Sequence, residues 1–453
     1  MNKLLFISSI LFFIWACNPE KVTPLPDKPL RFSTDTLLFD TVFTSLGSIS
    51  KRVKVYNGNS SDILIEKIEV AGGPQSPFKA IINGFEGSIL NNELLLSEDS
   101  LSVFVDVTIN PLDQNLPYIV QDSLLFHING KIQKVDLVAW GQDAHFLNDS
   151  ILACNSIWTA DRPYVIFNSI LVDTLCTLTI DPGAKIYSHK GSSIYVKGTV
   201  KSLGTDQDRI LWTNDRLDDY YINAPGQWGG MVILEGSKNN EFSFTDIRNA
   251  LVGIRQGSPD NDTIPEVILR QVRIENMSGY GLLAFTSDTY AENTLINNCG
   301  ISAIANLAGG NYQYLNCTIA NMPLELFREG PSVVWSDNII LADNSLLEGD
   351  LSVRMINSII WGSLKDELLT SVTGNNTVIF DVRNNLFRTE NLGWEINNLL
   401  NQNPFFISPE TYDFSVESTS PAINAGIDLG ISIDLKGNPR DLSPDLGAIE
   451  YLF

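Results

Sequence analysis

Two adjacent tyrosines, Tyr220 and Tyr221, lie between Trp212 and Trp228. Aromatic faces stack on pyranose rings through apolar C–H contacts. The stretch from Asp215 to Gly226 reads as an excursion between regular elements, and binding residues favour such loops. Tyr220, Tyr221 and Trp212 are therefore the candidate ligand-binding residues, whereas Trp228 reads as core. A polysaccharide lyase would need a lowered-pKa base beside a charge-neutralising cation. His189-Lys190 and Arg209 are the local candidates, and Arg248, Arg255, Arg270 and Arg273 could line one face. A glycosidase would need two carboxylates across a groove, and no pair is singled out. Isolated charges usually solvate a surface, so no catalytic set is assigned.

Acidic loops are the next candidates: Asp206-Gln207-Asp208, Asp215, Asp218-Asp219 and Asp260-Asn261-Asp262. Such oxygen-rich stretches can hold Ca²⁺, but their order fits neither an EF-hand nor a glycine-rich nonapeptide. Solvated loops are expected, and no cofactor is assigned. Three His, five Cys and no C-x-x-C spacing give no zinc pattern. The 453 residues carry 30 Lys and Arg against 53 Asp and Glu, a net charge of −23. That field repels phosphate backbones and excludes nucleic acid as an expected partner. It argues more weakly against long polyanionic glycans. A content of 44% apolar and 18% charged residues excludes wholesale disorder and a multi-span membrane protein.

The N-terminus reads as an address. Lys3 precedes an apolar run from Leu4 to Ala16, too short to span a bilayer but of signal-peptide length. It ends Ile14-Trp15-Ala16-Cys17 and is broken by Asn18-Pro19. This resembles a bacterial lipobox, with Trp15 bulkier than is usual there. The resemblance implies that Cys17 is acylated, that residues 1–17 are a lipoprotein signal peptide ending at that Cys, and that the folded part lies outside the inner membrane. The partner implied is a membrane, reached through the lipid, with the outer membrane or cell surface as the expected location. Residues 18–30, with Pro19, Pro24, Pro26 and Pro29, form a stiff tether.

Residues 31–145 read as an all-β module. Leu101, Val103, Val105 and Val107 alternate with more polar positions, the period of a half-buried strand. Leu124–Ile128 and Lys131–Ala139 flank Asn129-Gly130, which predicts a type I′ hairpin. Thr36–Phe39, Ser50–Tyr56, Ile63–Val70 and Phe78–Ile82 are further strands, some seven in all. The pattern predicts a β-sandwich and is similar to immunoglobulin-like modules of bacterial surface proteins, without a Cys…Trp…Cys core. His127 is expected to be a plain surface residue.

From 146 to 425 the chain repeats. Short apolar runs end in a polar corner at Asn249, Asn276, Asn298, Asn321 and Asp343, in steps of 27, 22, 23 and 22 residues. Asn357-Ser358-Ile359-Ile360 and Asn384-Asn385-Leu386-Phe387 continue the theme. One strand per ~22 residues with an Asn corner predicts a parallel β-helix, in which asparagines of successive coils bond into a ladder. A leucine-rich repeat lacks its frame here. The span allows about twelve coils at ~22 residues each. Gln227–Ser237 with Asn240–Ile247, and Leu178–Ile186 with Ile194–Val200, resemble coils of right-handed parallel β-helix repeat proteins of bacterial surfaces, the pectate-lyase-like fold. Ser420–Gly426, Asp434–Arg440 and Asp445–Tyr451 are similar to the closing segment of such proteins. The resemblance implies an all-β fold with an N-terminal sandwich and a parallel β-helix. It implies no activity, because this fold hosts enzymes and non-enzymes alike.

Phe146–Trp158 is the expected front cap and residues 426–453 a capping tail, with Arg440 paired to Asp445 or Glu450 over the last coil. Cys154 and Cys176 lie one period apart and could stack on adjacent coils. Buried free thiols are nonetheless the expectation for these two and for Cys299 and Cys317. The function expected is a non-catalytic envelope lipoprotein that binds carbohydrate or another surface macromolecule. A polysaccharide lyase or glycoside hydrolase is the alternative, and an inert spacer the third reading.

Overall fold

The computed structural model describes residues 28–48, 50–218, 220–257, 264–322, 328 and 330–452. Cys17 and most of the expected tether lie outside them. The chain divides into two compact units, Met1–Asp143 and Ala144–Phe453.

The first unit is a sandwich of two five-stranded sheets. Its strands are β1 (Arg31–Phe32), β2 (Thr36–Phe43), β3 (Lys51–Tyr56), β4 (Ile63–Val70), β5 (Phe78–Ile82), β6 (Phe85–Glu86), β7 (Ile89–Leu95), β8 (Ser100–Val107), β9 (Tyr118–Ile128) and β10 (Lys131–Gln142). The sheet orders are β1-β3-β8-β5-β6 and β2-β10-β9-β4-β7. Among the described residues there are ten strands rather than about seven, because β1, β6 and β7 are short or polar edge strands without a strong period-2 signal. The β9–β10 hairpin forms with Ile128 opposite Lys131. Asn129 and Gly130 both adopt positive φ, 47° and 70°, as a type I′ turn requires. Val53, Val55, Val103, Val105, Leu124, Phe126, Val135 and Leu137 fill the space between the sheets. His127 is a partly exposed surface residue whose Nε2 lies 2.9 Å from Glu69 Oε1. Lys67 and His127 together hold the Glu69 carboxyl below its usual range.

The second unit is a parallel β-solenoid with three columns of strands. Column A stacks Trp158, Ile180, Ser202, Phe242, Leu269, Ala291, Tyr314, Met355 and Val382 on successive rungs. Column B stacks Tyr164, Ile186, Trp212, Ile247, Ile274, Ile296, Ile319, Ile360, Phe387 and Leu400. Column C stacks Ile170, Ile194, Met231, Ile254, Leu282, Ile304, Val333 and Leu368. These side chains point inward, and most lie in one continuous core. Between the two ends each rung is paired with the one before and the one after it, so the buried backbone groups are satisfied coil to coil.

The asparagine corner is real. Asn249, Asn276 and Asn298 take φ of 65°, 63° and 50° between columns B and C. Asn298 Nδ2 donates to Asn276 Oδ1 at 2.6 Å, and Asn276 Nδ2 donates to Asn249 Oδ1 at 3.2 Å. Asn321 deviates: its amide clasps the backbone N–H and C=O of Cys299 instead. A second left-handed corner, between columns A and B, carries Asn293, Asn316, Asn357 and Asn384.

Several expectations fail. Asn338–Ile340 is not a coil strand. It pairs antiparallel with Leu346–Glu348 as a hairpin outside the solenoid, and column B passes from Ile319 directly to Ile360. The residues spent on this hairpin and on the loop after Asn214 reduce the coils from about twelve to the rungs above. Next, Cys154 and Cys176 form a disulfide across adjacent coils rather than remaining thiols. Cys299 and Cys317 are buried and free, and burial pushes both thiols up to about 12.

Finally, the tail does not sit over the last coil. It lies against the outer side of column B, where Phe414, Leu435 and Ala448 pack on Leu295 and Ala320. Val416, Ala422 and Leu446 pack on Ile359, Trp361 and Leu386. Ala448 N–H donates to Thr318 Oγ1 and Tyr412 Oη donates to Asn276 Oδ1. Arg440 pairs with Glu450 at 2.6 Å, nearly out of solvent, and also donates to Asn293 Oδ1. Burial raises the Asp445 and Glu450 carboxyls, an effect Arg440 partly offsets. The rear interior is closed by Trp394, whose ring packs edge-on against Phe380 and Trp335. At the front, His145–Ile151 pairs with Tyr164–Val172 as the first rung rather than as a separate cap.

Candidate functional site

The tyrosine loop leaves column B after Asn214 and rejoins at Trp228, the start of a column C strand. It is tied to the asparagine ladder: Asn249 Nδ2 donates to Asn214 Oδ1 at 2.7 Å and to Ile222 O at 2.9 Å. Gly226 closes it at φ 73°, where an added Cβ would lie 2.7 Å from Ser278 Oγ. Within the loop Arg216 pairs with Asp218 at 3.0 Å, and its guanidinium lies 3.8 Å from the centre of the Tyr221 ring. Tyr220 meets Tyr221 edge-on at 4.8 Å. Tyr220 is 80% exposed, whereas Tyr221 is half-buried beneath Arg216. The two rings therefore form an exposed aromatic step on a hydrogen-bonded base.

Trp212 does not join them. It is fully buried on a column B rung, beside Trp158 and with Nε1 on Ser202 Oγ. Its apolar size is used for packing, and no ligand reaches it. Trp228 is likewise core, donating from Nε1 to Arg248 O at 2.8 Å.

His189 and the arginines considered for catalysis are engaged, whereas Lys190 is exposed. His189 Nδ1 lies 2.6 Å from Asp215 Oδ2, and its ring packs on Phe167 at 4.8 Å. Sequence spacing did not join His189 to Asp215, because neighbouring rungs bring them together across 26 residues. Arg209 pairs with Asp246 at 2.7 Å, and burial lowers its pKa against the pull of that carboxylate. Arg248 pairs with Glu275, Arg270 with Glu241 and Glu292, and Arg273 with Asp246. Arg255 stacks over Phe285 at 5.8 Å. These form ladders of alternating charge across adjacent coils.

Among the described residues no group of three or more His, Cys, Asp or Glu is placed to hold a metal ion. Asp219 and Asp260-Asn261-Asp262 lie outside the described residues. A concavity of about 440 Å³ opens on the column A side. It is lined by Thr286, Asp288, Asn311, Asp350, Ser352 and Thr377. Asp288, Asn311 and Ser352 stack there on successive rungs. No sequence signal marked it, because those residues lie outside the asparagine repeat. Among the described residues no helix is long and apolar enough to cross a membrane.

The fold and the loop define an all-β chain with a parallel solenoid. No family model matches it, and no curated protein matches it. It is similar to the PapD-like domain 7 of human CEP192, at 13% identity and a TM-score of 0.18, over 28% of this chain and 92% of that one. A protein of unknown function from Porphyromonas gingivalis W83 is similar at 13% identity and a TM-score of 0.20, over 28% of this chain and 60% of that one. A family 123 glycoside hydrolase from Clostridium perfringens is similar at 7% identity and a TM-score of 0.19, over 27% and 30% respectively. The chain thus spans less than two thirds of the latter two. Overlaps this small carry no functional assignment.

Proposed function

We propose that this chain is a cell-envelope lipoprotein, anchored through Cys17, whose solenoid presents the Tyr220–Tyr221 loop as a non-catalytic carbohydrate-binding surface. The observation that supports the reading is the exposed Tyr220 ring set on Tyr221, itself fixed by Arg216 and by the asparagine ladder. A rigid aromatic step costs little side-chain entropy to present and suits the apolar face of a sugar ring. The pairing of Arg209, Arg248, Arg270 and Arg273 with carboxylates fits structural ladders better than a catalytic cation cluster.

One observation favours a second reading, a polysaccharide lyase or glycoside hydrolase: Asp215, at the start of the same loop, orients His189 as it would a general base. Probing a glycan array with the chain from Asn18 onward, together with a reducing-end release assay, separates the readings. Binding without release supports the proposal. Release that is lost in His189→Ala establishes the enzyme, and neither binding nor release leaves the spacer. The anchor is tested by fatty-acid labelling in cells: label is expected on the native chain and absent from Cys17→Ser.

A further inference from the structure

The sandwich carries a strand edge that is open although a groove has been built beside it. On β9, Lys131 opposite Ile128 at the two-residue turn sets a narrow hydrogen-bonded pair, and such pairs alternate along the strand. Counting back, Tyr118 and Val120 turn their N–H and C=O toward β10, while Ile119, Gln121 and Ser123 turn theirs away. The Ser123 carbonyl confirms the phase: it accepts from Ala71 N–H, at the point where β4 runs out. β4 pairs with β9 only from Leu124 onward. Gly72 N–H is then drawn off to the Asp122 carboxylate, and Gly73–Gln75 turns away as a short 3₁₀ helix. Among the described residues, the outward N–H and C=O of Ile119 and Gln121 meet no protein partner.

Beside this edge lies a groove of about 590 Å³. Its lining includes Tyr118 and Val120 of β9, Gln75, Ser76 and Lys79, and Ile109 and Leu112. Ile119 and Leu112 are 59% and 55% exposed at the rim. Exposed edges are normally blunted by charge, proline or a covering segment. Here Ile119, Val120 and Gln121 carry none of these.

We infer that the β9 edge is a docking site for an extended peptide segment of another protein, which adds a strand beside Ile119–Gln121. The segment's backbone would supply the two missing donor–acceptor sets. Its alternate side chains would enter the groove, where Ile109, Leu112, Tyr118 and Val120 favour apolar contacts beside the polar Gln75, Ser76 and Lys79. A net charge of −23 on the receiving chain disfavours the approach of strongly acidic segments, although Lys79 in the groove is cationic. This interaction is independent of the tyrosine loop.

The test uses the chain from Asn18 onward and a phage-displayed library of random linear peptides. The expected winners alternate apolar residues and avoid Asp and Glu. As synthetic peptides they should slow amide exchange at Ile119 and Gln121. Ile119→Pro removes one outward donor and leaves the bonds to β10 intact, since that residue's N–H does not face β10. It should weaken binding about tenfold, whereas Ile119→Thr, which keeps the donor, should weaken it less. An unchanged circular dichroism spectrum and melting temperature would show that the proline variant folds. The inference is overturned by failure to enrich peptides, or by peptides whose binding is indifferent to Ile119→Pro. It is also overturned by self-association that Ile119→Pro abolishes, which would assign the edge to a second copy.

Discussion

The sandwich and the solenoid solve the same problem, pairing every strand, in opposite ways. Three of the four edge strands of the sandwich, β1, β6 and β7, are short or polar, and part of β9 is still left open. The solenoid pairs each rung with the next, so that only its two ends and its outer sides remain to be dealt with. It deals with them by adding parts: Trp394 at the rear, the tail along column B, a disulfide between early coils and a buried ion pair at an excursion. A periodic fold concentrates its specific stabilising features where the period is interrupted. A sandwich spreads its stability through one apolar core.

That contrast can be broken by variants that lower the unfolding transition of the solenoid while leaving that of the sandwich in place, followed by denaturant titration. The largest effect is expected from Glu367→Ala. Arg328 and Glu367 pair in both branches at 2.7 and 2.8 Å with neither side chain exposed, and Ser332 and Leu364 also donate to the carboxylate. Removing the acid strands a buried guanidinium and should cost about 3–5 kcal/mol. Replacing Cys154 and Cys176 together by Ser should cost about 2–4 kcal/mol by freeing a 22-residue separation in the unfolded chain. Asn276→Ala removes two rungs of the ladder and the Tyr412 contact at a left-handed position, for about 2 kcal/mol. Arg270→Ala, on the solvated charge ladder, should cost at most about 1 kcal/mol. If all four moved both transitions equally, the two units would not differ as described.

Alkaline pH sharpens the same comparison. The Cys299 and Cys317 thiols are held up to about 12 in the folded solenoid by burial. Between the ordinary thiol range near ~8.5 and that value, the unfolded chain loses protons that the folded chain keeps. Stability of the solenoid should therefore fall as pH rises through this window, and less so in Cys299→Ala/Cys317→Ala. Both thiols should resist maleimide until the solenoid unfolds.

The sequence made much of this legible, for identifiable reasons. The β9–β10 hairpin was readable because Asn129-Gly130 encodes its turn locally. The solenoid was readable because Asn249, Asn276 and Asn298 need left-handed backbone at each coil. Asp343 mimicked that signal, since apolar-run-then-acid also describes a surface hairpin. Trp212 was misread because an aromatic near a loop looks the same from sequence whether its strand register points it in or out. The His189–Asp215 pair and the path of the tail depend on which rungs become neighbours, and variable excursions hide that count.

The most direct test of the proposed binding surface is a calorimetric titration of the tightest array glycan into the native chain and into Tyr220→Ala. Loss of one stacking ring should weaken binding roughly threefold to tenfold with no change in melting temperature. Equal affinity in the two proteins would contradict the assignment of this loop.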